Sequence, residues 1–562
     1  MNQLAIYRRL SQLTLIVGPL ATLAISPLAN FDPINLIKLM FVVPIGFSLM
    51  FIIASEFKNF QKNLSNIFWL FSFIFIFSLF STLIFSGAPV NQQIWGAFGR
   101  NTGLVTYLSL ISICISAALI QKTNFYESLI NALLITAVPV TIYSLIQMSG
   151  NDPFGWSLKA TFATLGNVNF LSAFLGLSSL AGFISVLEKK KNLVLRALIL
   201  TMSVIAVPII LSTGSIQGFM ILLAGLGIAL FFYIRSKPSV RWFQIPYFIL
   251  GIVGFFTTAI ALVNKGPLAK FVFSETVTYR TDYMHAGWVM TLNHPFFGVG
   301  LDSYGDWYRQ SRGLISTLRT GPERLANTAH NIFLDISSNG GLPLIFSYLA
   351  ILAFAFRAGY KIFKRSKEFD VVFVTLFSCW AAYQIQSAIS INQIGVGVWG
   401  WLLTGSLIGY EISTRRIEIT KTSGRNSKHL RKKSKSVTLS AKTGVVLFSG
   451  LTVGFIIAFI PMNADIKFKD ALQTNNLNEI SKSTEILGST AWHLNVVLDA
   501  ALKNNAADTA RALDIRLMTE YPKDYFGWRV RYGLLSSTQE ERAAAIKRAR
   551  ELDPFNPEIP KV

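Results

Sequence analysis

The sequence predicts an all-α, polytopic membrane protein with about 13 transmembrane helices and a small external helical-repeat domain. Three observations predict it. Hydrophobic residues make up 52% of the 562 and charged residues 14%, whereas soluble domains carry roughly a quarter charged residues. The apolar residues fall in runs of about 18 to 22, the length that crosses a bilayer as a helix. The Lys and Arg residues also sort onto alternate connections, as the positive-inside rule requires.

Taken in order, the spans are expected at 13–30, 35–55, 67–86, 103–121, 127–148, 170–187, 193–212, 218–234, 243–263, 342–359, 371–388, 394–412 and 443–461. Arg8 and Arg9 precede the first run and could mark a signal peptide, but the many later spans make that run a first transmembrane helix. With the N-terminus in the cytoplasm, the basic connections fall on one side. They hold Lys58 and Lys62, Lys122, Lys189 to Lys191, Arg235 with Lys237 and Arg241, and Arg357 through Lys367. The stretch 413–442, with its run RNSKHLRKKSKS, is then a basic cytoplasmic linker that contacts anionic lipid headgroups. It has no aromatic interleaving, so nucleic acid is not an expected partner. Cys114 and Cys379 both lie in apolar runs, which argues against a disulfide framework or a metal site.

This sorting makes 1–412 a membrane domain whose longest loop, about 264–341, faces outside. It makes 443–461 the final span and puts 462–562 outside as well. That tail has ordinary charge content. TARALDIRLMTEYPKDY and ERAAAIKRARELDPFNP align in register, with Pro522 and Pro554 at matching positions. Helix pairs that end in a Pro-bearing turn at this period resemble tetratricopeptide repeats. A plain helical bundle fits the same pattern, and either serves as a docking surface for a protein partner.

Two sets of polar residues face the expected outer side. The first is cationic: Arg100 at the mouth of a span, then Arg280, Arg309, Arg312, Arg319 and Arg324 in the long loop. Arginine suits bidentate contact with phosphate oxygens, although any one of these also reads as an ordinary surface or snorkelling residue. The second set centres on His330. On an ideal helix His330, Asn331, Leu334, Asp335 and Ser338 share one arc, and a polar stripe entering a membrane suggests a cavity lining. His330 could accept a proton from a hydroxyl, with Asn331 or Asp335 orienting it. Spacing alone fits a helix-start histidine equally well. The loop carboxylates Glu275, Asp282, Asp302, Asp306 and Glu323 form no DxD pair and no metal-ligand spacing, so no metal and no nucleotide-sugar donor are expected. The absence of a phosphate-cradling glycine loop disfavours ATP-driven transport.

Five stretches, in order, carry a resemblance to a known family. They are GRNTGLVTYL (99–108), FATLGNVNFLSAFLGL (162–177), STGSIQGFMILLAG (212–225), YRTDYMHAGWVMTLNHPFFGVGLDSYGDWY (279–308) and AHNIFLDISSNGGLPLI (329–345). Over roughly residues 90–410 they resemble the O-antigen ligase and polymerase superfamily of bacterial inner-membrane proteins. Departures are Gln217 where the family usually has Arg, Met284 in place of a Trp, Leu344 at a second Gly position, a thirteenth span and the repeat-like tail.

The resemblance implies inverting glycosyl transfer without ATP, metal or cofactor. The donor would be a glycan on a polyprenyl diphosphate, undecaprenyl in most bacteria, and the acceptor a hydroxyl on a glycan, lipid or protein at the outer face of the cytoplasmic membrane. Arg280 and Arg100 would bind the diphosphate and His330 would serve the acceptor hydroxyl. Asn331, Asp335, Arg309, Arg312 and Arg324 complete the candidate substrate contacts. Three other functions stay open at this point. One is protein O-glycosylation, with the tail docking the acceptor. Another is transport or flipping of a lipid-linked sugar, for which Gln384, Gln386, Asn392 and Gln393 cluster near the outer end of one span. The last is a non-catalytic assembly scaffold.

Overall fold

The computed structural model describes residues 3–156, 160–262, 264–272, 275–422, 441–534 and 536–560. The basic run expected at 425–436 lies outside the described residues. Helices account for all regular structure among the described residues. In chain order they are α1 (Gln3–Leu23), α2 (Asn35–Ser55), α3 (Phe57–Phe60), α4 (Asn66–Phe85), α5 (Val90–Trp95), α6 (Leu104–Leu119), α7 (Thr123–Met148), α8 (Val168–Ser185), α9 (Leu193–Ser212) and α10 (Ile216–Ser236). Then come α11 (Gln244–Leu262), α12 (Ala269–Val272), α13 (Glu275–Asn293), α14 (Tyr304–Ser311), α15 (Leu314–Thr320), α16 (Ile332–Arg365), α17 (Val371–Ser387) and α18 (Ile394–Thr422). The chain closes with α19 (Ala441–Gln473), α20 (Leu477–Ser483), α21 (Ala491–Lys503), α22 (Ala507–Glu520), α23 (Tyr525–Gly533) and α24 (Gln539–Leu552).

Every predicted span coincides with a helix. Among the described residues nine helices are long and apolar enough to cross a membrane: α2, α4, α7 to α11, α16 and α19. The shorter apolar α6 and α17, and the more polar α1 and α18, pack among them, so the chain is a polytopic membrane protein. Helix starts follow the polar residues of the connections. Ser65, Asn192 and Asp370 each accept from backbone N–H groups of the first turn that would otherwise lack partners. α6 and α8 are buried along almost their whole length and form the centre of the bundle. α11 buries almost none of its apolar surface, as expected of a helix whose neighbour is lipid.

Three boundaries differ from the expectation, each for a physical reason. The first helix ends at Leu23 instead of 30, because Asn30, Phe31 and Asp32 form a turn held from outside by Asp465. The tenth span begins at Ile332, because Asn331 caps it there. The last span and the tail are not separated at 462. α19 runs unbroken through Pro461 to Gln473, a proline that membrane helices tolerate.

The tail is fastened to the loop end of the bundle. Asp465 accepts from Phe31 N (2.7 Å) and Asp32 N (2.8 Å) and faces His493 Nε2 at 3.4 Å. Trp492 stacks on Phe98 with ring centroids 4.1 Å apart, and Asn91 Nδ2 donates to Ser489 O. Successive tail helices pack as neighbours, α21 on α22, α22 on α23 and α23 on α24.

Candidate functional site

The site is built around a break in α16. Gly341 adopts φ 75°, ψ −179° and divides a polar segment, Ile332–Gly340, from the apolar run beyond it. A broken helix leaves carbonyls without partners, which a membrane protein must satisfy internally. The loop segment after Pro295 does so. Val299 N donates to Ser338 O (2.8 Å), Gly300 N to Asn339 O (3.1 Å), and Leu342 N returns a bond to Pro295 O (2.7 Å). Gly298, at φ 62°, lies so close that a Cβ would overlap the Asn339 backbone. The Pro-x-x-Gly-x-Gly segment and the Asn-Gly-Gly segment are therefore two halves of one joint.

Asp302 sits just past that joint at φ 55°. Its Oδ2 accepts from Ala97 N (2.8 Å) and Thr102 N (3.2 Å), and its Oδ1 pairs with Arg100 Nε at 3.1 Å. Arg100 is almost fully buried and gives Nη1 to Asn327 O at 2.6 Å. It thus ties the turn before α6 to the segment leading into His330. Asp302 was visible in the sequence as one loop carboxylate among several. The signal setting it apart is its place two residues after the Gly-x-Gly of the loop segment.

His330 precedes α16 and is not part of it, so the expected helical arc does not form. Its φ is 51°, and its N–H donates to Thr328 Oγ1 at 2.8 Å. The imidazole lies against Tyr283, with centroids 5.2 Å apart, and makes no hydrogen bond among the described residues. Asn331 Oδ1 accepts from Phe333 N (3.0 Å) and Leu334 N (3.1 Å), so its side chain caps the helix instead of orienting His330. Asp335 accepts from Ala329 N at 2.7 Å, while its second oxygen is buried without a hydrogen-bond partner. Burial, with Arg280 and Arg100 nearby, pulls the His330 pKa down to about 4, so the ring is neutral at pH 7.

The predicted arginines divide into separate groups. Arg280, on α13 beside His330, has no hydrogen-bond or ion-pair partner among the described residues, and burial lowers its pKa. Arg100 lies at the same site but is engaged as described. Arg324 stacks on the Tyr279 ring at 4.2 Å, and Arg319 pairs with Asp282 at 2.9 Å. Arg309 and Arg312 are not brought to His330. Both are buried against Asp553 of the tail, at 2.9 and 2.8 Å, which leaves them no face for a substrate. The expectation that they contact substrate is corrected on that ground. In the membrane layer Gln217 accepts from Gln386 Nε2 (2.8 Å) and Ser390 Oγ (3.2 Å), while Asn392 Nδ2 approaches Tyr107 OH at 3.4 Å. A cavity of about 790 Å³ at the opposite end of the bundle, lined by Lys189, Lys237 and Arg365 among others, contains none of the candidate residues.

Residues 201–349 match the family model described as O-antigen ligase. The matched stretch holds Arg280, Asp302, His330, Asn331 and Asp335, together with the joint between the two glycine segments. The chain is also similar to the teichuronic acid biosynthesis protein TuaE of Bacillus subtilis (strain 168), at 23% identity over 254 residues. That alignment covers 43% of this chain and 50% of TuaE, so the chain spans about half the length of this curated relative. The ligase-like segment begins within α9 and ends beyond the break in α16, and Arg100 lies outside it.

Proposed function

We propose that this protein transfers a glycan from a polyprenyl-diphosphate carrier to an acceptor hydroxyl, as a ligase or polymerase of surface polysaccharide biosynthesis. The observation that carries the reading is a neutral imidazole, His330, beside a buried arginine, Arg280, that has no anionic partner among the described residues. The ligase-like match over 201–349 and the likeness to a teichuronic acid biosynthesis protein support it. The charge sorting supports an N-terminus in the cytoplasm of a bacterial inner membrane, with the site and tail outside. The packed helix pairs of the tail are consistent with tetratricopeptide-like hairpins.

In this mechanism the acceptor O–H gives its proton to the free imidazole nitrogen as its oxygen forms a bond to the anomeric carbon. The bond from that carbon to the diphosphate oxygen breaks, and its electron pair leaves with the polyprenyl diphosphate. Arg280 offers a forked donor to the departing phosphate oxygens, where negative charge grows. Attack opposite the leaving group inverts the anomeric configuration. Pairing Arg280 with a diphosphate also removes a charge that suppresses protonation of His330. The donor therefore raises the basicity of the imidazole that must accept the proton.

The test is reconstitution in lipid vesicles with a lipid-diphosphate oligosaccharide and three acceptors: a glycan, a glycolipid and a Ser/Thr peptide. Mass spectrometry of the products identifies the acceptor class, and NMR of the new linkage gives its configuration. Retention of configuration contradicts direct attack. Products on the peptide alone point to protein glycosylation instead.

A further inference from the structure

We propose that Asp553, in the C-terminal tail, is a positioning residue for His330. Its two oxygens take Arg312 Nη2 at 2.8 Å each, and Oδ2 also takes Arg309 Nη1 at 2.9 Å. Asp553 and Arg312 are fully buried, and Arg309 is nearly so. Asn556 Nδ2 holds the carboxylate from behind at 3.1 Å. Tyr525 covers the Arg309 guanidinium at 4.3 Å, and Glu323 lies at 3.9 Å from it.

The two guanidiniums do more than neutralise one carboxylate. Arg309 Nη1 (2.6 Å) and Arg312 Nη2 (3.1 Å) both donate to Pro322 O, and Arg312 Nη1 reaches Arg324 O at 3.2 Å. They thereby fasten the start of the segment that runs into His330. Its other anchors are Arg100 at Asn327 O and Asp335 at Ala329 N. His330 itself has a left-handed backbone, which persists only where the surroundings enforce it. Without Asp553, two buried cations converge on one carbonyl with only the exposed Glu323, 3.9 Å from Arg309, as counter-charge. Such an arrangement relaxes by releasing the segment or drawing in water. The tail is therefore part of the site's framework and not only a platform for partners.

This inference rests on the transfer reaction proposed above, and the experiment separates the two. Full-length wild-type, Asp553→Asn, Asp553→Glu and His330→Ala proteins are reconstituted, and kcat and donor KM are measured. Tryptic cleavage after Arg319 and Arg324 is timed on the same samples. Asp553→Asn is expected to lower kcat about 10²-fold, the scale of a roughly 1 Å misplacement of a reacting group. Donor KM stays within about twofold, cleavage after Arg324 accelerates, and Asp553→Glu restores much of both. Wild-type kcat in Asp553→Asn overturns the inference, as does a loss that Asp553→Glu does not relieve. If the wild type transfers nothing, or His330→Ala transfers as well as wild type, the proposed function falls. The clamp is then judged by cleavage alone, and unchanged protection of Arg324 in Asp553→Asn overturns it.

Discussion

At the scale of single residues, the proposed transfer needs a neutral His330 and an Arg280 that has no ion-pair partner among the described residues. The His330 pKa lies near 4 because burial disfavours the charged ring and two arginines repel it. The sign of the pH dependence follows. The unfolded chain binds a proton near pH 6.5 and the folded chain does not until about pH 4. Folding stability from this group is complete above pH 6.5 and is lost as pH falls towards 4. The acid limb of kcat/KM due to His330 is accordingly expected well below 6.5. Replacing Arg280 with Ala should move protonation of His330 upward, which can be read from the pH dependence of diethylpyrocarbonate labelling of the His330 peptide. An unmoved labelling curve would show that Arg280 does not act on the ring. Replacing His330 with Ala should lower transfer by about 10² to 10⁴, the usual contribution of a general base. Arg280→Lys should also impair transfer, since an ammonium does not reproduce a fork. Full activity in that variant would mean that a point charge suffices there.

At the scale of elements, the joint between the loop and the broken helix fixes where everything else sits. Gly341→Ala places a methyl group 2.6 Å from the Phe296 carbonyl carbon at a φ that L residues avoid. A loss of about 1–3 kcal/mol is expected, seen as a lower melting temperature in detergent. Gly313, with open space around its Cβ position and an ordinary φ, is the control and should tolerate Ala. This joint explains why some of the site was legible in the sequence and some was not. The apolar periods place a helix at each of the thirteen predicted positions, and nine of the described helices are long and apolar enough to cross a membrane. The charge pattern marks the long loop, and its end at 341 coincides with the break. An ideal-helix projection nevertheless put His330 and Asn331 on a stripe with Asp335, whereas Asn331 is the cap and His330 lies before it. Cap geometry competes with helix propagation locally, and a polar residue near a helix start fits both.

At the scale of the whole molecule, the tail is continuous with the last membrane helix and locked to the loop through Asp465 and Asp553. A cut at 463 would sever α19 and remove Asp465, so such a deletion should destabilise the membrane domain. Thermal melting of the truncated protein checks this, and an unshifted melting temperature would mean that the tail is an independent module. The pairing of Arg309 and Arg312 with Asp553 spans more than two hundred residues of chain. No local pattern reports it, and in the sequence both arginines read as free loop cations like Arg280. Only the packing of the tail shows that Arg309 and Arg312 are consumed by the fold. In the proposed reaction His330 drives transfer of a lipid-diphosphate-linked glycan beside Arg280. The most direct measurement compares wild-type and His330→Ala proteins in vesicles of equal protein content and equal melting temperature, following glycan product and released polyprenyl diphosphate by mass spectrometry. The wild type should form both in equal amounts, and His330→Ala should form both about 10² to 10⁴ times more slowly. Equal transfer by the two proteins would contradict the claim.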